Sequence, residues 1–107
     1  MKTKLLALAL ILTAGTANAE TPEFTINIKD HKFAPANTEI PAATKVKLIV
    51  VNQDPTPEEF ESHDFHREKI IKGNSKATIN VGPLKPGVYK YFGEFNEKTA
   101  QGTLTVK

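Results

Sequence analysis

Leu84-Lys85-Pro86-Gly87-Val88-Tyr89-Lys90-Tyr91-Phe92-Gly93, together with the tail Gly102-Thr103-Leu104-Thr105-Val106-Lys107, decides the architecture of this chain. Pro86-Gly87 fits the two central positions of a type II turn, with glycine supplying the positive φ. Val88 to Phe92 then reads as an aromatic strand, and Gly102 precedes a last strand whose Leu104 and Val106 point inward. Working outward, Phe24, Ile26 and Ile28 alternate with Thr25, Asn27 and Lys29, the pattern of a half-buried strand. Ala77, Ile79 and Val81 share one side of a second alternating run, and Val46 to Val51 is apolar and β-branched enough for a central strand. His31 to Ala43 is broken by Pro35 and Pro41 and predicts a loop with a short extended piece at Thr38 to Ile40. Asn52 to Pro57 is rich in turn residues. Glu58 to Glu68, dense in charge and histidine, fits either an extended strand or a short irregular turn. No segment sustains a helical period, so the chain predicts an all-β sandwich of one domain.

The beginning of the chain reads as a leader. Lys2 and Lys4 form a basic head, Leu5 to Leu12 a short apolar run, and Ala17-Asn18-Ala19 a small-x-small cleavage site. The apolar run is too short for a spanning helix, although an uncleaved anchor is the alternative. Residues 1–19 are therefore expected to be removed, leaving residues 20–107 as a periplasmic or secreted domain without a stable membrane span. The chain has no Cys, and its single Met is Met1. Small exported domains often rely on disulfides or a metal; here stability must come from the core, a metal or a partner. Two of the 14 basic residues lie in the leader, so what remains balances the 12 acidic ones. The formal charge of +2 is thus no argument for nucleic acid or for an anionic membrane.

Three segments together resemble the cupredoxin family. They are Phe33-Ala34-Pro35 followed by Thr38-Glu39-Ile40-Pro41-Ala42-Ala43-Thr44-Lys45-Val46; then Val50-Val51-Asn52-Gln53-Asp54; then Leu84-Lys85-Pro86-Gly87-Val88-Tyr89-Lys90-Tyr91. The resemblance implies a Greek-key β-sandwich in which a copper loop carrying Cys, His and Met lies between Tyr89 and Gly102. Those places hold Gly93, Asn96 and Thr99 or their near neighbours. The stretches Asp54-Pro55-Thr56-Pro57-Glu58-Glu59-Phe60-Glu61-Ser62-His63-Asp64 and Phe92-Gly93-Glu94-Phe95 look like the Cys-free cupredoxin-like periplasmic proteins of bacterial ferrous-iron uptake. These are related to the N-terminal domain of the EfeO iron-uptake component. That likeness implies work beside a periplasmic iron-binding protein and a membrane iron permease, in support of Fe(II) oxidation. A His often stands in that group where this chain has Asn96, and His66 is not expected from it.

A blue-copper centre needs a Cys thiolate, so type 1 copper is excluded by composition. The remaining ligands are carboxylate, imidazole and carbonyl, which suit Fe, Cu(II), Zn or Mn. Glu61 and His63 stand at i and i+2, on one face of a strand, with Glu59 one step behind. The implied topology brings Glu94 near that point. Glu61, His63 and Glu94 are therefore the expected ligands of Fe or Cu(II), with Glu59 as the substitute for Glu61 and His66 as a weaker candidate. The competing explanation is a solvated acidic edge in which Glu58, Glu59 and Glu61 pair with Arg67 or Lys69, contacts that contribute little. His31 is expected to be an exposed polar residue. Tyr89, Tyr91, Phe92 and Phe95 are expected to divide between the core and the rim of the site. Gly93 fits a bulge, a turn with positive φ or a close backbone approach. Ser62 has no nucleophile-elbow context, and a stacking surface for nucleic acid does not suit a neutral exported domain.

The sequence thus leaves two main readings of function, with a true ferroxidase, which needs a site that turns over, as a third. One is a metal-binding accessory protein of iron uptake that supports Fe(II) oxidation rather than catalysing it. The other is a metal-free interaction module that docks onto the permease or the binding protein through Asp54 to Glu61.

Overall fold

The alternation in the sequence becomes two stacked sheets. A computed structural model describes residues 20–107; the expected leader and its cleavage lie outside the described residues. In chain order the strands are β1 (Glu23–Lys29), β2 (Lys32–Ala34), β3 (Asn37–Ile40), β4 (Val46–Asn52), β5 (Glu58–Ser62), β6 (Arg67–Ile71), β7 (Ser75–Val81), β8 (Gly87–Gly93) and β9 (Gln101–Val106). A short 3-10 turn, Glu94–Asn96, follows β8. One sheet has the order β2-β1-β4-β7 and the other β3-β9-β8-β5-β6. The parallel pairs β1–β4 and β3–β9 join segments distant in sequence, whereas β5–β6 is a hairpin.

The inward residues of both sheets meet in one core. Ile26, Ile28, Leu48, Val50, Phe60, Tyr91 and Leu104 are fully buried in it. Its centre is aromatic: Phe60 stacks on Tyr91 at 4.7 Å, and Phe33 meets Tyr91 edge-on at 4.9 Å. Such pairs add roughly 1 kcal/mol each beyond the area they bury. Burial holds the Tyr91 hydroxyl far above the ordinary phenol range.

Two predicted loops differ from what forms. Lys32 to Ala34 is a strand, because Asp30 and His31 both take left-handed conformations (φ 53° and 58°) and fold β1 back on itself. The Asp54 carboxylate accepts hydrogen bonds from both amides, at 2.8 and 2.9 Å. Phe33 is thereby drawn into the core. Pro86-Gly87 does not make a type II turn: Gly87 has φ 157° and already belongs to β8. The Tyr89 hydroxyl secures this corner by donating to the Lys85 carbonyl at 2.8 Å.

Asn52 fastens the loops at one end of the sandwich. It is 1% exposed. Its amide nitrogen donates to the carbonyls of Thr56, Ile71 and Lys72, and its oxygen accepts the Asp54 amide at 3.1 Å. Gly73 lets this end close, since a Cβ there would collide with the Pro55 carbonyl. Asp54 in turn is desolvated, which raises its pKa, but the amides of His31 and Asp30 and the charges of His31 and Lys29 outweigh burial and hold it below the usual carboxylate range. The stabilisation that Asp54 contributes is present above the unfolded carboxylate pKa and is lost as pH falls through the depressed folded value. Replacing Asn52 with Ala strands several buried polar groups and should cost about 2–4 kcal/mol. Urea unfolding at neutral pH measures this; a loss below about 1 kcal/mol would show that Asn52 is not the fastener.

Candidate metal centre

Strand β5 sorts its side chains by alternation. Glu58, Phe60 and Ser62 are buried, while Glu59 and Glu61 lie half-buried on the outer face of the five-stranded sheet. The hairpin register sets Glu61 opposite Glu68 and Glu59 opposite Ile70. Carboxylate oxygens of Glu59, Glu61 and Glu68 all come within 4.8 Å of one another. His63, in the turn after β5, places Nδ1 3.9 Å from Glu61 Oε2. Its ring lies 5.4 Å from that of Phe92, which is the β8 neighbour of Glu61. Glu94, at the start of the 3-10 turn, lies near enough to feel the charges of Glu61, Glu68 and His63. The structure therefore brings together Glu59, Glu61 and His63, with Glu94 beside them on the adjoining turn. His66 sits at the tip of the hairpin with φ 55° and lines a shallow cleft with Glu61, His63 and Glu68. His31 is elsewhere, beside Asp54 with Nδ1 3.7 Å from its Oδ2.

Like charges directly across a strand pair are destabilising, and here four carboxylates crowd one imidazole. A hydrogen bond with Glu68, then partial desolvation, then the charges of Glu68, Glu61 and Glu94 push Glu59 up to about 7. Glu94 is raised by partial desolvation, by the charge of Glu61 and by hydrogen bonding to it, against a lowering by His63. Arg67 does not relieve this charge: its guanidinium donates to the carbonyls of Asn80 and His66. Among the described residues, the basic side chain within 4 Å of the cluster is His63, with Nδ1 3.9 Å from Glu61 Oε2. The expected pairing with Arg67 or Lys69 does not form.

A second carboxylate has a different role. Glu58 is 2% exposed and points between the sheets. Its Oε1 accepts the amides of Glu59 at 3.0 Å and Phe95 at 2.9 Å, and its Oε2 accepts Asn96 Nδ2 at 2.8 Å. Gly93 has φ −98°, so it needs no left-handed freedom. A Cβ there would stand 2.6 Å from Glu58 Cδ and 2.7 Å from the Ala100 Cβ. Close approach is what requires glycine at this position.

The two places differ in what they could hold. Between the sheets, the positions expected to carry Cys and His are Gly93 and Asn96, closed over by the Glu58 carboxylate. Type 1 copper does not fit there. On the outer face, carboxylate oxygens and an imidazole nitrogen converge, a donor set that suits Fe, Cu(II), Zn or Mn. Glu68 and Glu58 were not anticipated as members of these groups. Glu68 depends on hairpin register, and Glu58 is a carboxylate at an inward position, where hydrophobic alternation predicts an apolar residue.

Among the described residues, no helix is long and apolar enough to cross a membrane. Over 84 residues the chain is 54% identical to the uncharacterized protein RP394 of Rickettsia prowazekii, covering 78% of this chain and 67% of that one. Its fold is similar to the metal-binding domain of the Cu(I)-exporting P-type ATPase CopA from Streptococcus pneumoniae, with a TM-score of 0.71, 15% identity and 79% and 84% of the two chains covered. It is also similar to auracyanin A, a blue copper protein of Chloroflexus aurantiacus, with a TM-score of 0.70, 12% identity and coverage of 82% and 100%. Residues 3–106 match the family model of the cupredoxin-like domain. The chain belongs to the cupredoxin-like domain family.

Proposed function

We propose that this domain is a periplasmic metal-binding accessory protein of iron uptake, and that it takes Fe or Cu(II) on the outer face of its five-stranded sheet. Glu61, His63 and Glu94 are the ligands in this reading, Glu59 and Glu68 complete the oxygen set, and His66 stands at the rim. The observation that carries it is the convergence of Glu59, Glu61 and Glu68 within 4.8 Å with His63 beside Glu61. A cation there offsets the repulsion that pushes Glu59 up to about 7. The sandwich supplies rigidity, since Glu59 and Glu61 belong to a strand paired on both sides. Copper is named for similar folds, in the CopA domain and auracyanin A. The iron setting, an iron permease and a periplasmic iron-binding protein as partners, and a supporting place in Fe(II) oxidation rest on the resemblance of residues 54–64 and 92–95 to Cys-free periplasmic proteins of iron uptake.

A second reading is a metal-free docking module. It is favoured by two apolar residues that stay exposed on or beside this face, Phe95 at 49% and Ile70 at 58%. Elemental analysis of the purified domain after exposure to Cu(II) and to anaerobic Fe(II) separates the two. Roughly stoichiometric metal supports the first reading, and none with either ion supports the second.

Replacing His63 with Ala should weaken Cu(II) binding at least about tenfold, because it removes the imidazole nitrogen that lies beside Glu61. Titration calorimetry measures this, and equal affinity before and after the change would remove His63 from the site.

The pH dependence has a definite sign. Glu59 and Glu94 have raised folded pKa values, so the stability associated with their protonated forms is present below the unfolded carboxylate pKa and is lost as pH rises through the folded values, about 7 for Glu59. The metal-free domain should therefore melt at lower temperature at pH 7.5 than at pH 5.5. Metal must displace these protons, so its stabilising effect should grow over the same interval. Melting curves with and without Cu(II) test both; a metal effect that does not change with pH would contradict the assignment of Glu59.

A further inference from the structure

We infer that Glu58 is a positioning residue for the metal centre: from inside the sandwich it fixes the turn that presents Glu94 to Glu61. The inference rests on the function proposed above. A buried carboxylate is costly unless every oxygen is hydrogen-bonded, and Glu58 meets that condition without a cation. Its single Oε1 accepts the amides of both Glu59 and Phe95. One oxygen thus ties the backbone of a proposed ligand, Glu59, to that of the residue following another, Glu94. Oε2 holds the side chain of Asn96, and the Asn96 carbonyl accepts the amides of Thr99 at 3.2 Å and Ala100 at 2.8 Å. The Gly93 amide donates to Ala100 at 2.9 Å, which closes the loop at its base. Glu94 is therefore held on both sides by residues locked to Glu58 and Ala100, while Glu94 itself is exposed.

The sheet carries Glu59, Glu61 and Glu68 on paired strands, so their spacing is set by the ladder. Glu94 lies outside any ladder, and the link in the structure that sets its height above β5 is the Glu58 carboxylate. Gly93 serves the same end, because any larger residue would displace that carboxylate. A partner that orients a metal ligand typically changes affinity 10- to 100-fold when removed.

A double-mutant cycle tests the role. Affinities for Cu(II), and in parallel for anaerobic Fe(II), are measured by calorimetry for wild type, Glu58→Gln, Asn96→Ala, Glu94→Ala, and each of the first two combined with Glu94→Ala. Circular dichroism checks that each variant keeps the strand signal. Glu58→Gln and Asn96→Ala should each weaken binding about tenfold, and in the Glu94→Ala background each should change it less than about twofold. Asn96→Ala removes one hydrogen bond without touching Glu58 and decides the matter where Glu58→Gln does not fold. Unchanged affinity in the single variants, or an equal loss with and without Glu94, would overturn the positioning role. Failure of the wild-type domain to bind either metal would instead overturn the proposed function, and the role with it.

Discussion

One buried carboxylate shapes the end of the sandwich that follows β8. Glu58 lies between the two sheets, where an apolar side chain would be the ordinary choice, and accepts hydrogen bonds from Glu59, Phe95 and Asn96. Desolvating such a group is expensive without these partners, so its neighbours are constrained in turn. Gly93 can carry no side chain, Asn96 must donate an amide, and the backbone after β8 must tighten into a 3-10 turn. These constraints close the space between the sheets at the loop where the blue-copper pattern places its metal.

With the interior closed, charge collects outside. Glu61 faces Glu68 across a hairpin, carboxylate oxygens of Glu59, Glu61 and Glu68 lie within 4.8 Å of one another, and the charge of Glu61 acts on Glu94 in the adjoining turn. A strand pair gains nothing from this arrangement on its own, since facing like charges are destabilising and Arg67 is turned away to Asn80. Protonation relieves part of the repulsion, which is why Glu59 is pushed up to about 7. A multivalent cation relieves more of it. The same physics therefore links the instability of the face to the proposed function.

The sandwich was largely legible from alternation. Ile26 and Ile28, Ile79 and Val81, and Leu104 and Val106 are inward, as their spacing implies. Strand β2 was not legible, because only Phe33 marks it and Pro35 argues against it. Its formation depends on Asp54, distant in sequence, capping the tight turn at Asp30 and His31. The charged stretch from Glu58 to Glu68 was ambiguous because carboxylates occupy both of its faces. Glu59, Glu61 and His63 could be grouped from strand periodicity alone. Glu68 could not, since its place opposite Glu61 follows from the length of the hairpin turn. Glu58 was hidden by the rule that buried strand positions are apolar, a rule that fails where backbone amides supply the missing solvation.

The central claim is a location: the cation is held on the outer face of the five-stranded sheet, with the space under Gly93 closed to it. Anomalous diffraction from crystals grown with Cu(II), collected at the copper edge, tests this most directly. The account predicts a peak bounded by Glu61, His63 and Glu94, within coordination distance of carboxylate oxygen and imidazole nitrogen. A peak between the sheets, beside Glu58, Gly93 and Asn96, would contradict it.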